Sequence, residues 1–374
     1  MKSNTYCKMP YVGFQNTYRG NRLCCGAQGL HNSNVKDFWN SKYLKEVRSK
    51  MEHGKKLKEC SKCYEEEAQG KFSLRNHYNA LYKDLELQDT PAVMDLDFSN
   101  LCNLQCIMCG PDRSSQWAKE LGDKQVLNIA YNKIDELSEI SHNIKHITIQ
   151  GGEPSIMPEF VKYFEYLEAN DLIKNIEIDC ISNLTNTNNK FYEFLYKFKT
   201  VNLNASIDAY GLVNNYIRYP SKFEKIEENL ISLADKNLQV NLQISLQVLS
   251  MYNFYDFLEW IEKMQEIYQG KNKKLGLNLS YVTSPAHFDV VKSSKMLKDK
   301  MVQDLNKYKN ILQKPKDVKF QLQLKNLLTM LQNKQLKQDE SSALIRYIEE
   351  IDTRRNIKIT NFIPDFHTYL PKSQ

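Results

Sequence analysis

From Ala92 onward the chain alternates between short runs with apolar residues at every second position and longer runs with apolar residues three or four apart. The short runs predict strands at Ala92 to Phe98, Lys145 to Ile149, Ile176 to Ile181, Val201 to Ile207, Val240 to Val248 and Leu275 to Tyr281. The longer runs predict helices such as Met157 to Glu168, Lys190 to Phe198, Lys222 to Ala234 and Tyr255 to Tyr268. Six strands with helical crossovers call for parallel βαβ units, and six is short of the eight that close a barrel. The expected fold is α/β: a partial (βα)6 TIM-like barrel over residues 89–290. Residues 1–88 hold five cysteines and one helical run, Lys36 to Met51, and read as a small module held together by metal. Residues 291–374 read as a helical extension rich in Leu and Lys, whose final segment, with Phe362, Phe366 and Tyr369, packs back onto the body.

Composition narrows the class. At 374 residues the chain exceeds one minimal domain, and 41% hydrophobic residues with few Gly and Pro exclude collagen-like and disordered chains. Met1 to Pro10 has no apolar leader core, and no stretch approaches the ~18 apolar residues of a membrane span, so the expectation is a cytosolic protein with no membrane partner. In a reducing compartment the nine cysteines are not a disulfide framework, and an odd number cannot pair within the chain. The net charge of +6 is uneven: Val291 to Glu340 carries twelve Lys against five acids, or +7, which leaves the rest near neutral. A Lys-coated helical surface is the simplest reading, with an acidic partner as the alternative. The absence of Arg from that span argues against nucleic acid.

The chemistry concentrates behind the first predicted strand, where Cys102, Cys106 and Cys109 follow in a CxxxCxxC spacing. Three thiols within one loop can curl round a single inorganic centre. Zinc wants four closed ligands, and the nearest further candidates, His142 and His146, come more than thirty residues later. Three thiolates on an iron-sulfur cube leave one iron open for a substrate or cofactor. With this spacing the chain resembles the radical S-adenosylmethionine (SAM) superfamily. The second predicted strand runs into Gln150-Gly151-Gly152-Glu153-Pro154, similar to that family's GGEP motif; the third leads to Asn183, and the fourth to Ser206-Ile-Asp208, similar to its SxD segment. Each lies at the C-terminal end of a predicted strand, where βα proteins build their sites.

The resemblance implies that Cys102, Cys106 and Cys109 ligate a 4Fe-4S cluster whose open iron binds SAM. Gly151, Gly152 and Glu153 would then meet the SAM ammonium, Ser206 and Asp208 would lie near the SAM ribose and carboxylate, and Asn183 would contribute to the cofactor site from the polar end of the third strand. Arg218 and Gln150 would take the carboxylate, and Met108 would lie near adenine or simply pack. Ala209 stands where many members have Gly. The implied reaction is one-electron cleavage of SAM to methionine and a 5′-deoxyadenosyl radical that abstracts hydrogen from a substrate. An electron donor such as flavodoxin or ferredoxin is implied as well.

Cys7, the Cys24-Cys25 pair and Cys60-Ser-Lys-Cys63 remain. A CxxC plus distant cysteines makes a zinc ribbon or a tetrathiolate iron-sulfur site by spacing alone. The run Phe38-Trp39 to Met51, followed by Cys60, Cys63, Glu67 and Gly70, resembles radical SAM proteins with an amino-terminal twitch-type module, which implies an auxiliary 4Fe-4S cluster. Cys7, Cys60 and Cys63 are the expected ligands, with Cys25 preferred slightly over Cys24 for the fourth place. Cys180, mid-strand, reads as a buried inert thiol. His31, His77, His146 and His287 have no ligand-like spacing, and Tyr6, Tyr11 and Tyr281 are cavity candidates. The expected function is a radical SAM enzyme acting on a peptide or protein side chain. The alternatives are dehydrogenation or rearrangement of a carbohydrate or nucleoside-linked molecule, and a non-catalytic iron-sulfur or zinc protein.

Overall fold

The structure, a computed structural model, describes residues 3–122, 131–308, 317–333 and 339–370. It divides into two compact units: Met1–Asn103, Pro111–Ile181 and Asn188–Asn202 form the first, and Leu104–Gly110, Ser182–Thr187 and Leu203–Gln374 the second.

The first unit is built on β1 (Gly13–Thr17), β2 (Gly20–Arg22), β3 (Val93–Asp97), β4 (His146–Gln150) and β5 (Glu177–Ser182), in the order β2-β1-β3-β4-β5. β2 runs antiparallel to β1, and the remaining pairs are parallel. Their register lines up Gln15, Asp95, Thr148 and Asp179 in one row and Phe14, Met94, Ile147 and Ile178 in the next. The second row is buried and apolar, while the first is polar, because successive side chains of a strand face opposite ways. The second unit holds the later part of β6 (Thr200–Ser206), from Leu203 on, with β7 (Gln239–Leu246) and β8 (Leu275–Tyr281) following in that order and running parallel to each other. Val240, Leu242, Ile244 and Leu246 are buried, and Gln239, Asn241, Gln243 and Ser245 between them are half-buried.

All six predicted strands are present, each within about two residues of its expected limits, and the α/β class stands. β1 and β2 are additions that periodicity missed, since Phe14 is the one apolar residue of β1. Gly13 explains how β1 fits: a Cβ there would meet the Val93 carbonyl oxygen at 2.0 Å, so only glycine permits the approach.

The helices Pro158–Ala169, Lys190–Leu195, Phe223–Leu233 and Phe254–Gly270 fall where the 3.6-residue period placed them. The expected helix over Lys36 to Met51 is instead two, Val35–Asn40 and Lys42–Glu52. Ser41 breaks it by taking an extended conformation and accepting the Leu44 N–H as the second helix's N-cap. Aromatic side chains fill the first unit's core, with Phe98 stacked on Phe160 at 4.5 Å and Phe164 set edge-on to Phe198 at 5.0 Å.

The C-terminal region forms helices Lys295–Lys307, Val318–Gln332 and Ser341–Arg355. Within the second unit, the final segment packs back as expected: Phe362 meets Tyr216, while Phe366 and Tyr369 flank Tyr252. Of the Lys-rich span, Lys295 and Lys300 pair with Asp299 and Asp304 on their own helix. Lys309, Lys314, Lys316, Lys334 and Lys337 lie outside the described residues. Among the described residues no helix is long and apolar enough to cross a membrane.

Candidate functional site

In the first unit, the loop leaving β3 and the loop leaving β4 meet through main-chain bonds. Gly152 N–H donates to the Ser99 carbonyl (3.1 Å) and Glu153 N–H to that of Leu101 (2.8 Å). A side chain on Gly152 would strike the Leu101 carbonyl oxygen at 2.1 Å, and Gly151 has φ +134°, a conformation that favours glycine. The two glycines are thus required by the close approach of two loops. Glu153 is buried, and its Oε1 accepts from the Ser155 hydroxyl (2.6 Å). Gln150, expected to face a carboxylate ligand, donates Nε2–H to Asp95 Oδ1 at 2.8 Å. Cys102 is buried, its N–H donated to Ser115 Oγ at 3.2 Å.

In the second unit, Cys106 is buried and Cys109 exposed. A hydrogen bond with Cys109, followed by burial, raises the Cys106 thiol well above its ordinary pKa. Arg218 Nη1 lies 4.0 Å from Cys106 Sγ, and Arg218 Nε forms an ion pair with Asp208 at 2.7 Å. Asp208 is fully buried; Oδ1 also accepts the Ser245 N–H (2.7 Å), and its own N–H donates to Asn214 (3.1 Å). Burial works against the Arg218 charge, yet Asp208 and the Cys106 sulfur hold its pKa above the ordinary value. Asn183 is buried and accepts from the Thr185 hydroxyl at 2.7 Å, whereas Ser206 and Met108 are half-buried. Arg218 therefore stands beside the cysteine loop and is already engaged by a carboxylate of its own chain.

The amino-terminal cysteines belong to the first unit. Burial, then the neighbouring Cys60 and Cys63, push Cys7 up to about 12; burial and Cys63 do the same to Cys60. Cys24 is raised by burial and by Cys25, Cys7 and Cys60. Cys24 thus stands near Cys25 as well as near Cys7 and Cys60. The Cys25 sulfur also lies 3.4 Å from the Tyr78 hydroxyl, and besides burial it responds to Asp95 and Arg22. Arg75 secures the Cys7 segment by donating to the Asn4 and Tyr6 carbonyls (2.7 and 2.9 Å) while paired with Glu67. Among the described residues no three His, Cys, Asp or Glu converge closely enough to share a single metal ion. A cube is held at its corners by thiolates on different irons, so its ligands need not converge on one point, and thiols are the donor type it takes.

Cys180 is fully buried, as an inert strand thiol would be. His146, read from the sequence as an ordinary polar residue, is the centre of a relay: Tyr82 Oη lies 2.6 Å from its Nδ1, and its Nε2 is 2.9 Å from Asp179 Oδ2. Asp95, in the same polar row as Asp179, is raised by burial to about 6. The signal for these residues was present in the sequence, as carboxylates alternating with apolar residues in runs otherwise patterned as core strands.

Residues 96–264 match the model of the Radical SAM superfamily. Over 147 residues the chain is 26% identical to "Mycofactocin maturase MftC" of Mycobacterium ulcerans (strain Agy99), covering 39% of this chain and 37% of that protein. Similar solved structures include "Native anSMEcpe with bound AdoMet and Cp18Cys peptide" (15% identity, 59% of this chain and 60% of that one, TM-score 0.38). "Crystal structure of Streptococcus suis SuiB bound to precursor peptide SuiA" is another (14%, 67% and 58%, TM-score 0.38). The chain spans less than two thirds of the length of each of these proteins.

Proposed function

From the radical SAM domain that this chain carries at residues 96–264, we propose an enzyme that reductively cleaves SAM and directs the resulting radical at a peptide or protein side chain. The observation that carries the reading is the cysteine loop backed by a buried ion pair: Cys106 and Cys109 beside Arg218, itself fixed by Asp208. When bound, a reduced 4Fe-4S cluster and SAM supply the one-electron cleavage that generates a 5′-deoxyadenosyl radical. Cys102, Cys106 and Cys109 would hold the cluster. The Arg218 guanidinium, raised in pKa, stays charged beside the thiolates and offsets their negative charge. Gly151 and Gly152 let the loops leaving β3 and β4 close on each other, and Glu153 would supply a buried carboxylate. Asp208, held by the Ser245 N–H, orients Arg218 and leaves Ser206 and Asn183 to line the nucleoside side.

A peptide or protein substrate is supported by the relative named as a maturase. The polar side chains of β7 are engaged within the sheet, Gln239 donating to the Val240 and Lys274 carbonyls and Gln243 to the Ser280 hydroxyl. The amino-terminal Cys7, Cys24, Cys60 and Cys63 would hold an auxiliary 4Fe-4S cluster, with Cys24 as fourth ligand because Cys25 is engaged with Tyr78.

The test is anaerobic reconstitution with iron and sulfide, then dithionite and SAM. 5′-Deoxyadenosine is expected from the wild type and none from the variant with Cys102, Cys106 and Cys109 replaced by Ala. A fully loaded wild type that forms no 5′-deoxyadenosine refutes the enzyme.

A further inference from the structure

The C-terminal helix Ser341–Arg355 has no part in the reading above, yet it reaches the cysteine loop. Tyr347 Oη donates to the Ile107 carbonyl at 2.8 Å, and Arg355 Nη2 donates to the Gln105 carbonyl at 3.0 Å. These are the residues on either side of Cys106. Their N–H groups are also taken: Gln105 donates to the Tyr219 carbonyl (2.6 Å) and Ile107 to that of Ile217 (2.9 Å). A short irregular loop has no ladder of its own, and unpaired main-chain groups in a buried setting are costly. Here every main-chain polar group of the two residues flanking Cys106 has a partner. Two of those partners are side chains 240 and 250 residues further along the chain.

The donors are themselves held. The Tyr347 ring packs against His287 (4.9 Å) and the edge-on ring of Phe288 (5.4 Å). The Arg355 guanidinium sits over the Tyr219 ring at 4.9 Å, the same residue whose carbonyl receives Gln105. Tyr347, Ile351 and Arg355 recur at every fourth position, so one helix face carries all three, with Ile351 buried between the donors. Asp352 anchors the helix by accepting from the Tyr216 hydroxyl (2.7 Å) and the Ile359 N–H (2.7 Å). On the outer side Glu350 pairs with Arg354.

We propose that the C-terminal helix is part of the cluster-binding apparatus, with Tyr347 and Arg355 as positioning residues that clamp the main chain on both sides of Cys106. The proposal rests on the radical SAM reading of Cys102, Cys106 and Cys109. The clamp holds the main chain so that the Cys106 side chain stays where a bound cluster would need it, a role that neither residue's distance along the chain would reveal.

The experiment uses reconstituted holoprotein, with the SAM-responsive electron paramagnetic resonance signal of the dithionite-reduced cluster as the reporter and its decay under EDTA as the rate. Tyr347→Phe and Arg355→Gln are each expected to speed the decay about fivefold, the loss of about one net hydrogen bond. The double variant should be faster still, Arg355→Lys should restore part of the Arg355→Gln loss, and Arg354→Gln should match the wild type. The line shape with SAM bound should change in the double variant, a readout that general destabilisation does not move. If the double variant misfolds, Arg355→Lys and Tyr347→Phe singly carry the test. Variants that decay at the wild-type rate with an unchanged line shape overturn the clamp. A wild type without any SAM-responsive signal overturns the cluster reading itself, and the clamp with it.

Discussion

The two cysteine groups differ in how the chain assembles them. Cys102, Cys106 and Cys109 come from one loop, and the structure's contribution is to brace it with Arg218 and Asp208. Cys7, Cys24, Cys60 and Cys63 come from three separated segments, of which the first is held by Arg75 through the Asn4 and Tyr6 carbonyls. Burial raises the thiols of the dispersed group, whereas at Cys106 the hydrogen bond with Cys109 comes first and burial second. The contrast shows that a compact motif declares its ligands by spacing, whereas a dispersed one leaves the choice between adjacent residues to packing.

The sharpest way to break that contrast is at Cys24 and Cys25. Cys24→Ala should lower reconstituted iron from about eight to about four per chain, while Cys25→Ala should leave it near eight. Equal loss from both, measured by iron and sulfide assay, would return Cys25 to the ligand set. Next in size is Arg218→Ala, which leaves fully buried Asp208 without its cation. A loss of about 3–5 kcal/mol in urea denaturation of the cluster-free protein is expected. Wild-type stability in that variant would mean that the ion pair does not brace the loop.

The smallest effect concerns Asp95, near Cys25. Burial raises its carboxyl to about 6, against hydrogen bonds from Gln150 and Gln15. A carboxyl raised in the folded state favours folding where it is protonated, and that contribution is lost as pH rises from about 4 through about 6. At pH 7 the ionised group costs at most about 3 kcal/mol. Asp95→Asn should therefore be more stable than the wild type at pH 7, with the gap closing towards pH 4. A gap independent of pH in urea midpoints would remove Asp95 as its source.

Much of the fold was legible because the six core strands carry their apolar residues locally, and period two survives without knowledge of neighbours. β1 was not, since its place depends on Gly13 letting the chain approach Val93 and on pairing with β3 rather than on its own hydrophobicity. Of the candidate site, the cysteine loop and the Gly151-Gly152-Glu153 turn could be read directly. The engagement of Gln150 with Asp95 could not, nor could the Tyr82, His146 and Asp179 relay, because each joins residues from different strands or helices.

The sequence by itself determined the strand and helix succession, the CxxxCxxC loop and the glycines behind β4, since all follow from residues within one local window. The tertiary structure alone decided that Cys25 lies against the Tyr78 hydroxyl. It also decided which carboxylate holds Arg218, and that a helix 240 residues downstream binds the carbonyls beside Cys106. Hydrogen bonds and charge pairs act over a few ångströms in space, and distance along the chain does not encode them until the chain has folded.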